Sequence, residues 1–284
     1  MLTVLEAIKL STEYLEKKGI DSPRTNAELL LAGVLECKRL DLYLSYDRPL
    51  DETEKLNYRT YISKRGNFEP LQYILGSSEF YGLKIIVDPS VLIPRPETEI
   101  LIETIINNYK SGENISILDI GTGSGNIPVA LAKNISGCRL TSIDISGEAL
   151  KTAVLNAELH EIKDRINFLN MDVFSNEIYN IGNYDILVSN PPYVEKEEMK
   201  NLQKEIVNYE PFNAVTDGAD GYSFYSRICE VASELLNLNG KLFFEIGIGQ
   251  AAKVEEIMKS YNFTDIKIIK DYQNIDRVIY GERI

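Results

Sequence analysis

The chain has 284 residues, 44% of them hydrophobic and 26% charged, the make-up of an ordinary globular protein with room for one large domain and a smaller one. A net charge of −13 opposes generic binding to nucleic acid, which needs lysines and arginines to displace counterions from phosphates. No apolar run approaches the ~18 residues of a membrane span, and Met1–Lys18 carries acids at amphipathic spacing where a secretion signal would have a basic start and an apolar stretch.

Residues 1–78 read as a small helical bundle. Leu2, Leu5, Ile8 and Leu15 form one helical stripe that Gly19 stops, and Asp21-Ser22-Pro23 opens a second helix through Ala27, Leu30, Leu31 and Val34. Asp51 starts a third, through Leu56 and Ile62 to Lys64, with short helices around Leu40–Leu44 and Pro70–Leu75. Residues 79–90 have the composition of a β-hairpin linker. From residue 91 to 284, helix and strand periods alternate. Strands are expected at Ser116–Ile120, Leu140–Ile143, Ile166–Leu169, Ile186–Ser189, Lys241–Ile246, Ile266–Ile269 and Arg277–Tyr280. Helices are expected at Thr98–Tyr109, Ile127–Lys133, Ala149–Leu159, Tyr222–Leu236 and Ala251–Tyr261. Repeated βα units imply an α/β fold, a parallel sheet covered on both faces. Residues 1–78 carry 11 basic and 12 acidic side chains, so nearly all the negative charge falls on the rest. That division suits a protein-docking module joined to a catalytic domain.

The chemistry must come from backbone groups, amides and carboxylates. The single histidine, His160, stands at helical spacing from Asn156 and reads as a helix-end residue. Cys37, Cys138 and Cys229 lie far apart without a CxxC pair, which suggests neither a disulfide framework nor a metal site and leads to a cytoplasmic expectation.

Ile117–Ile120 closes an apolar strand and is followed by Gly121-Thr122-Gly123-Ser124-Gly125, a turn that lets backbone approach a ligand where any β-carbon would intrude. No Lys-Ser/Thr pair follows, so it is not a nucleoside triphosphate loop. Asp144 ends the next strand, where an adenosine-binding α/β protein places an acid for the ribose hydroxyls. Asp172 is suited to accept from the adenine amino group, with Val173 packing on the ring. GxGxG rather than GxGxxG leans towards S-adenosylmethionine without excluding NAD.

Asn190-Pro191-Pro192-Tyr193 follows the strand Asp185–Ser189. The prolines stiffen an extended segment and leave carbonyls free as acceptors. An amide or aromatic NH₂ is a poor nucleophile because its lone pair is delocalised. The Asn190 side-chain carbonyl and the Pro191 main-chain carbonyl can each accept one of its hydrogens, fixing the nitrogen and raising its electron density during methyl transfer. Tyr193 is expected to stack on the planar group.

At these residues the sequence resembles the protein-(glutamine-N5) methyltransferases that modify class I peptide chain release factors. The likeness spans nearly the whole chain and includes Glu69–Gly76, Leu92–Glu99, Gly121–Gly125, Val188–Tyr193, Tyr209-Glu210-Pro211, Asp217–Gly221 and Glu245-Ile246-Gly247. The resemblance implies a seven-stranded, Rossmann-like S-adenosylmethionine-dependent methyltransferase domain with its last strand antiparallel, behind a helical substrate-docking domain. It implies methylation of the glutamine in a Gly-Gly-Gln loop, with S-adenosylhomocysteine as product and the release factor as partner. Cofactor contacts carry over to Gly121, Thr122, Gly123, Ser124, Gly125, Asp144, Asp172, Val173 and Asn190. Catalytic and substrate contacts carry over to Asn190, Pro191, Pro192 and Tyr193. A monomer is expected, binding neither membrane nor nucleic acid. Two relatives are the alternatives: a ribosomal-protein glutamine methyltransferase, and a DNA adenine or cytosine amino-methyltransferase, which shares the NPPY signature. Pro94–Glu99 also fits ordinary helix-start chemistry, and Glu245 reads as a brace for the loop after its strand.

Overall fold

Thr3 and Asp51 each begin a helix by a reciprocal capping box: the side-chain oxygen accepts from the amide three residues on, and Glu6 or Glu54 returns the bond. The computed structural model describes residues 1–109 and 114–284 and divides them into two compact units. The first comprises Met1–Ser77 and Gln203–Tyr209; the second comprises Ser78–Leu202 and Glu210–Ile284.

The first unit contains helices α1 (Val4–Lys17), α2 (Pro23–Val34), α3 (Glu52–Gly66) and α4 (Leu71–Leu75), with a 3₁₀ turn at Arg39–Leu44. Val4, Ile8, Leu15, Ala27, Leu30 and Leu31 build its core, and the Tyr58 hydroxyl donates to the Ala27 carbonyl at 3.0 Å. Helix α8 (Lys204–Tyr209) belongs here, although over a hundred residues of the other unit precede it. A buried arginine holds it. Arg65 gives Nε to Asn26 at 2.7 Å, one terminal nitrogen to the Glu69 carbonyl at 3.0 Å and the other to Glu205 at 2.5 Å. The sequence boundary at residue 78 therefore leaves out part of the helical unit. A six-residue helix shows too little period to be recognised.

The second unit opens at Ser78, inside β1 (Ser77–Phe80), which pairs with β2 (Leu83–Ile86) as a two-stranded ribbon. Its turn is Tyr81-Gly82, both at positive φ. The ribbon is not a free linker. The Asn156 side chain accepts from the Ile86 amide at 2.7 Å and donates to its carbonyl at 2.9 Å, tying β2 to the helix that carries Asn156. The remaining elements are α5 (Thr98–Asn108), β3 (Ser116–Ile120), α6 (Asn126–Asn134), β4 (Arg139–Asp144), α7 (Gly147–Leu159), β5 (Ile166–Asn170), β6 (Tyr184–Ser189), α9 (Phe212–Val215), α10 (Ser223–Leu235), β7 (Leu236–Glu245), α11 (Ala251–Ser260), β8 (Phe263–Lys270) and β9 (Asp276–Arg283).

Seven strands form one sheet in the order β5-β4-β3-β6-β7-β9-β8. The first five in that order are parallel, while β9 runs antiparallel to both of its neighbours. Ile117, Leu118, Ile186, Leu187, Val188, Leu242 and Phe243 are fully buried, the near-continuous apolar runs that helices on both faces demand. Strand order reverses direction at β3 and β6, and in open α/β sheets ligands sit outside the strand ends at such a point. His160 caps the end of α7, with Nε2 2.8 Å from the Lys84 carbonyl.

Candidate active site

Sheet register decides which side chains meet. Ile120 pairs with Ile143 on one side and Ser189 on the other, so the residues just beyond them, Gly121, Asp144 and Asn190, leave the sheet as neighbours. The Ser189 hydroxyl donates to the Ile120 carbonyl at 2.8 Å, fastening the two strand ends. All three residues line one pocket of about 290 Å³, a size for a nucleoside-class ligand.

The glycine turn is built by its own amides. Gly121 and Thr122 donate to the Ile143 carbonyl at 2.9 and 3.0 Å, and Gly123 donates to Asp144 at 2.9 Å. Gly121 and Gly123 have positive φ and open space where a β-carbon would stand, whereas a β-carbon on Gly125 would come within 3.0 Å of Ala153. The first two glycines keep the pocket floor bare, and the third lets α6 pack on α7. Asp144 accepts from the Gly123 amide on one oxygen and from the Ser146 amide on the other. Each oxygen keeps a lone pair, so the carboxylate can take a pair of adjacent hydroxyls. Burial pushes its pKa up, and the same amides pull it down.

Asp119, two residues before Gly121, is fully buried, and neither of its oxygens, nor the Thr122 or Ser142 hydroxyl, has a hydrogen-bond partner. Burial, the largest influence on it, pushes its carboxyl up to about 7. An unfolded aspartate titrates near ~3.9, so the folded chain holds the extra proton between those values. The associated stability is full below about pH 4 and is lost as pH rises through about 7. Asp119→Asn cannot ionise. Its melting temperature should rise relative to wild type, by the equivalent of a few kcal/mol, between pH 5.5 and pH 8.5. Melting curves that stay parallel across that range would mean the carboxylate is satisfied when folded.

Around the second half of the site, a polar network holds the NPPY segment. The Asn190 side-chain NH₂ donates to the Thr98 hydroxyl at 3.2 Å, and Thr98 donates to Glu245 at 2.5 Å. The Tyr193 hydroxyl donates to the other Glu245 oxygen at 3.3 Å. Gln250 donates to the Tyr193 carbonyl at 2.9 Å. Gly221 lies against that same carbonyl, which a β-carbon there would approach to 2.3 Å, and its φ is +80°. The Asp217 carboxylate accepts from the Ala219, Gly221 and Ser223 amides, shaping the loop that brings Gly221 in. Arg95 pairs with buried Glu210 at 2.6 Å, joining the Pro94–Glu99 segment to Pro211, which lines the pocket.

Of the residues singled out in the sequence, Gly121, Gly123, Asp144, Asp172, Val173, Asn190, Pro191 and Pro192 come together on the pocket wall. Thr122, Ser124, Gly125 and Tyr193 do not. The first three lie buried behind the turn. Tyr193 packs on the sheet core with its hydroxyl on Glu245, the partner a buried phenol requires, and is not a stacking surface of this pocket. Ile145 and Phe174 were not anticipated. Both are large, exposed and on the wall, and Phe174 meets Phe224 edge-to-face at 5.2 Å. Ile145 stands one residue after Asp144 and Phe174 two after Asp172, acids already singled out, which is the signal that would have found them.

The PrmC N-terminal domain model matches residues 6–76, and the methyltransferase small domain model matches residues 96–219. A release factor glutamine methyltransferase of Fusobacterium nucleatum is 41% identical over 280 residues, spanning 98% of this chain and 78% of that protein. The Chlorobaculum tepidum protein of the same name is 40% identical, spanning 97% of this chain and 95% of its own length. Among solved structures, a methyltransferase from Pyrococcus furiosus superimposes with a TM-score of 0.53 at 18% identity, over 72% of this chain and 90% of that one, a likeness of fold.

Proposed function

We infer the reaction from one premise: the chain belongs to the release factor glutamine methyltransferase family. The enzyme methylates the side-chain amide nitrogen of the glutamine in the Gly-Gly-Gln loop of class I release factors. What carries the reading is the sharing of one pocket by Asp144 and the bare glycine turn with Asn190 and Pro191.

S-adenosylmethionine, when bound, supplies an electrophilic methyl group on a sulfonium, and S-adenosylhomocysteine leaves. The residues present fit it. Asp144 has lone pairs for two ribose hydroxyls, and Ile145 and Phe174 offer apolar faces for an adenine. The Gly121, Thr122 and Gly123 amides are already engaged within the protein, which disfavours a pyrophosphate at this turn and hence NAD. On the substrate side, the Asn190 and Pro191 carbonyls accept the two amide hydrogens, turning the nitrogen lone pair towards the methyl group. No strong base is needed before transfer. Pro192 keeps the segment extended.

The helical unit, with its near-neutral charge, recognises the body of the release factor, since a glutamine loop alone offers little contact area. The enzyme works as a monomer in the cytoplasm, where its substrate acts. Incubation of the purified protein with tritiated S-adenosylmethionine and a purified release factor should label the factor, and replacing the Gly-Gly-Gln glutamine by glutamate should abolish the label. Label that persists on the glutamate variant, or appears on duplex DNA, would overturn this reading.

A further inference from the structure

Two segments without a role in the reaction as described, Pro94–Glu99 and the end of β7, meet at one carboxylate. Glu245 is 1% exposed and makes no ion pair among the described residues. Its two oxygens receive two hydroxyls, Thr98 at 2.5 Å and Tyr193 at 3.3 Å. Thr98, also 1% exposed, in turn accepts the Asn190 NH₂ at 3.2 Å. We propose that Thr98 and Glu245 are positioning residues for methyl transfer: together they fix which end of the Asn190 carboxamide faces the pocket.

The two ends of a carboxamide have nearly the same shape and opposite hydrogen-bonding character. Turned one way, Asn190 offers an acceptor to an incoming amide NH₂; flipped, it offers a donor to a donor and repels it. A lone hydroxyl partner would not choose between these, because a hydroxyl can give or accept. Glu245 makes the choice. An ionised carboxylate only accepts, so it takes the single hydrogen of Thr98. Thr98 is left with lone pairs, which only the NH₂ end of Asn190 can satisfy. The carbonyl end is then turned away from Thr98 and is free for substrate.

The same logic gives a pH dependence. A protonated Glu245 would donate its own hydrogen to Thr98 and release the Thr98 hydrogen towards Asn190, permitting the flip. Burial raises Glu245 to about 7; the Thr98 and Tyr193 hydroxyls and Arg277 pull it down, and Glu97 pushes it up. Tyr225, the other ionisable group at hand, donates to the Glu245 main-chain carbonyl at 3.0 Å. The productive orientation is therefore lost as pH falls through about 7.

This inference rests on the substrate assignment only for what the Asn190 carbonyl does, and two readouts separate the two. Thr98→Val keeps the shape and removes the relay. It should lower kcat on release factor roughly ten- to a hundredfold, the scale of a small misplacement of a reacting group, with the KM for S-adenosylmethionine nearly unchanged. Thr98→Ser should restore kcat to within a few-fold of wild type. Wild-type kcat should fall between pH 8 and pH 6, and Glu245→Gln, assayed in the same series, should be slow and without that fall. The second readout needs no substrate: in protein labelled with ¹⁵N-asparagine, the Asn190 side-chain NH₂ should exchange slowly with solvent in wild type and Thr98→Ser and quickly in Thr98→Val. Full kcat in Thr98→Val, or an Asn190 amide equally protected in both proteins, would overturn the proposal. A wild type that labels no release factor would sink the substrate assignment, and amide exchange would still decide the positioning role.

Discussion

Asn190→Ala should lower the single-turnover rate of methyl transfer by about 10²–10³-fold, the scale for removing one group that stabilises developing charge. Binding of S-adenosylmethionine and the melting temperature should change little. Asn190 is only half-buried and lies beyond the last paired residue of β6, so its truncation opens no core cavity. The Pro191 carbonyl remains, which is why activity should persist at a reduced level. Truncation also removes one donor from Thr98, whose bond to Glu245 is untouched. Rapid-quench assays of labelled factor, paired with calorimetry for cofactor binding, would check both halves. Transfer within a few-fold of wild type would remove Asn190 from the reaction.

Arg65→Ala should destabilise the helical unit by roughly 3–5 kcal/mol, the range for stripping one partner from a buried ion pair. Arg65 is 3% exposed, and its loss leaves Asn26, the Glu69 carbonyl and Glu205 each short of a donor. Since Arg65 belongs to α3 and Glu205 to α8, the expected pattern in hydrogen exchange is loss of protection in both helices together. Strands β3 to β6 should keep theirs. Denaturant unfolding unchanged by the substitution would mean that Glu205 contributes nothing to holding α8. The same contact rules out a simple truncation as a test of docking. Removing the first 77 residues would strand α8, with Val207 already 47% exposed, inside the catalytic chain.

Much of this was legible in the sequence because the physics involved is local. A strand of Ile117-Leu118 type ending in glycines, an acid ending the next strand, and NPPY ending β6 each declare themselves within a few residues. The parallel sheet then brings them together through register. Residues whose role is set by partners far along the chain stayed hidden. Thr98 reads as the first turn of a helix and Glu245 as a strand end, and only folding joins them across 147 positions. Asp217 and Gly221 look like a loop until Gly221 is found against the Tyr193 carbonyl. The placement of Tyr193 has a related reason: an aromatic beside a reacting group suggests stacking, whereas its hydroxyl reaches a buried carboxylate. Asp119 shows the opposite case, an acid inside an apolar strand whose cost is visible only once both oxygens are seen to be enclosed.

The composition of the helical unit has a bearing on how the chain is made. A polypeptide leaves the ribosome from its N-terminus at roughly 5–20 residues per second, and early domains usually fold as they emerge. Here α1 to α4 emerge first, but α8 does not appear until β3, β4, β5 and β6 have all been synthesised. Until then Arg65 waits with one arm of its guanidinium unmatched, and the bundle is an incomplete body. Its completion is thus deferred until most of the sheet exists, so nascent chains arrested before residue 203 should expose a protease-sensitive N-terminal bundle that chains arrested beyond residue 209, and clear of the exit tunnel, protect.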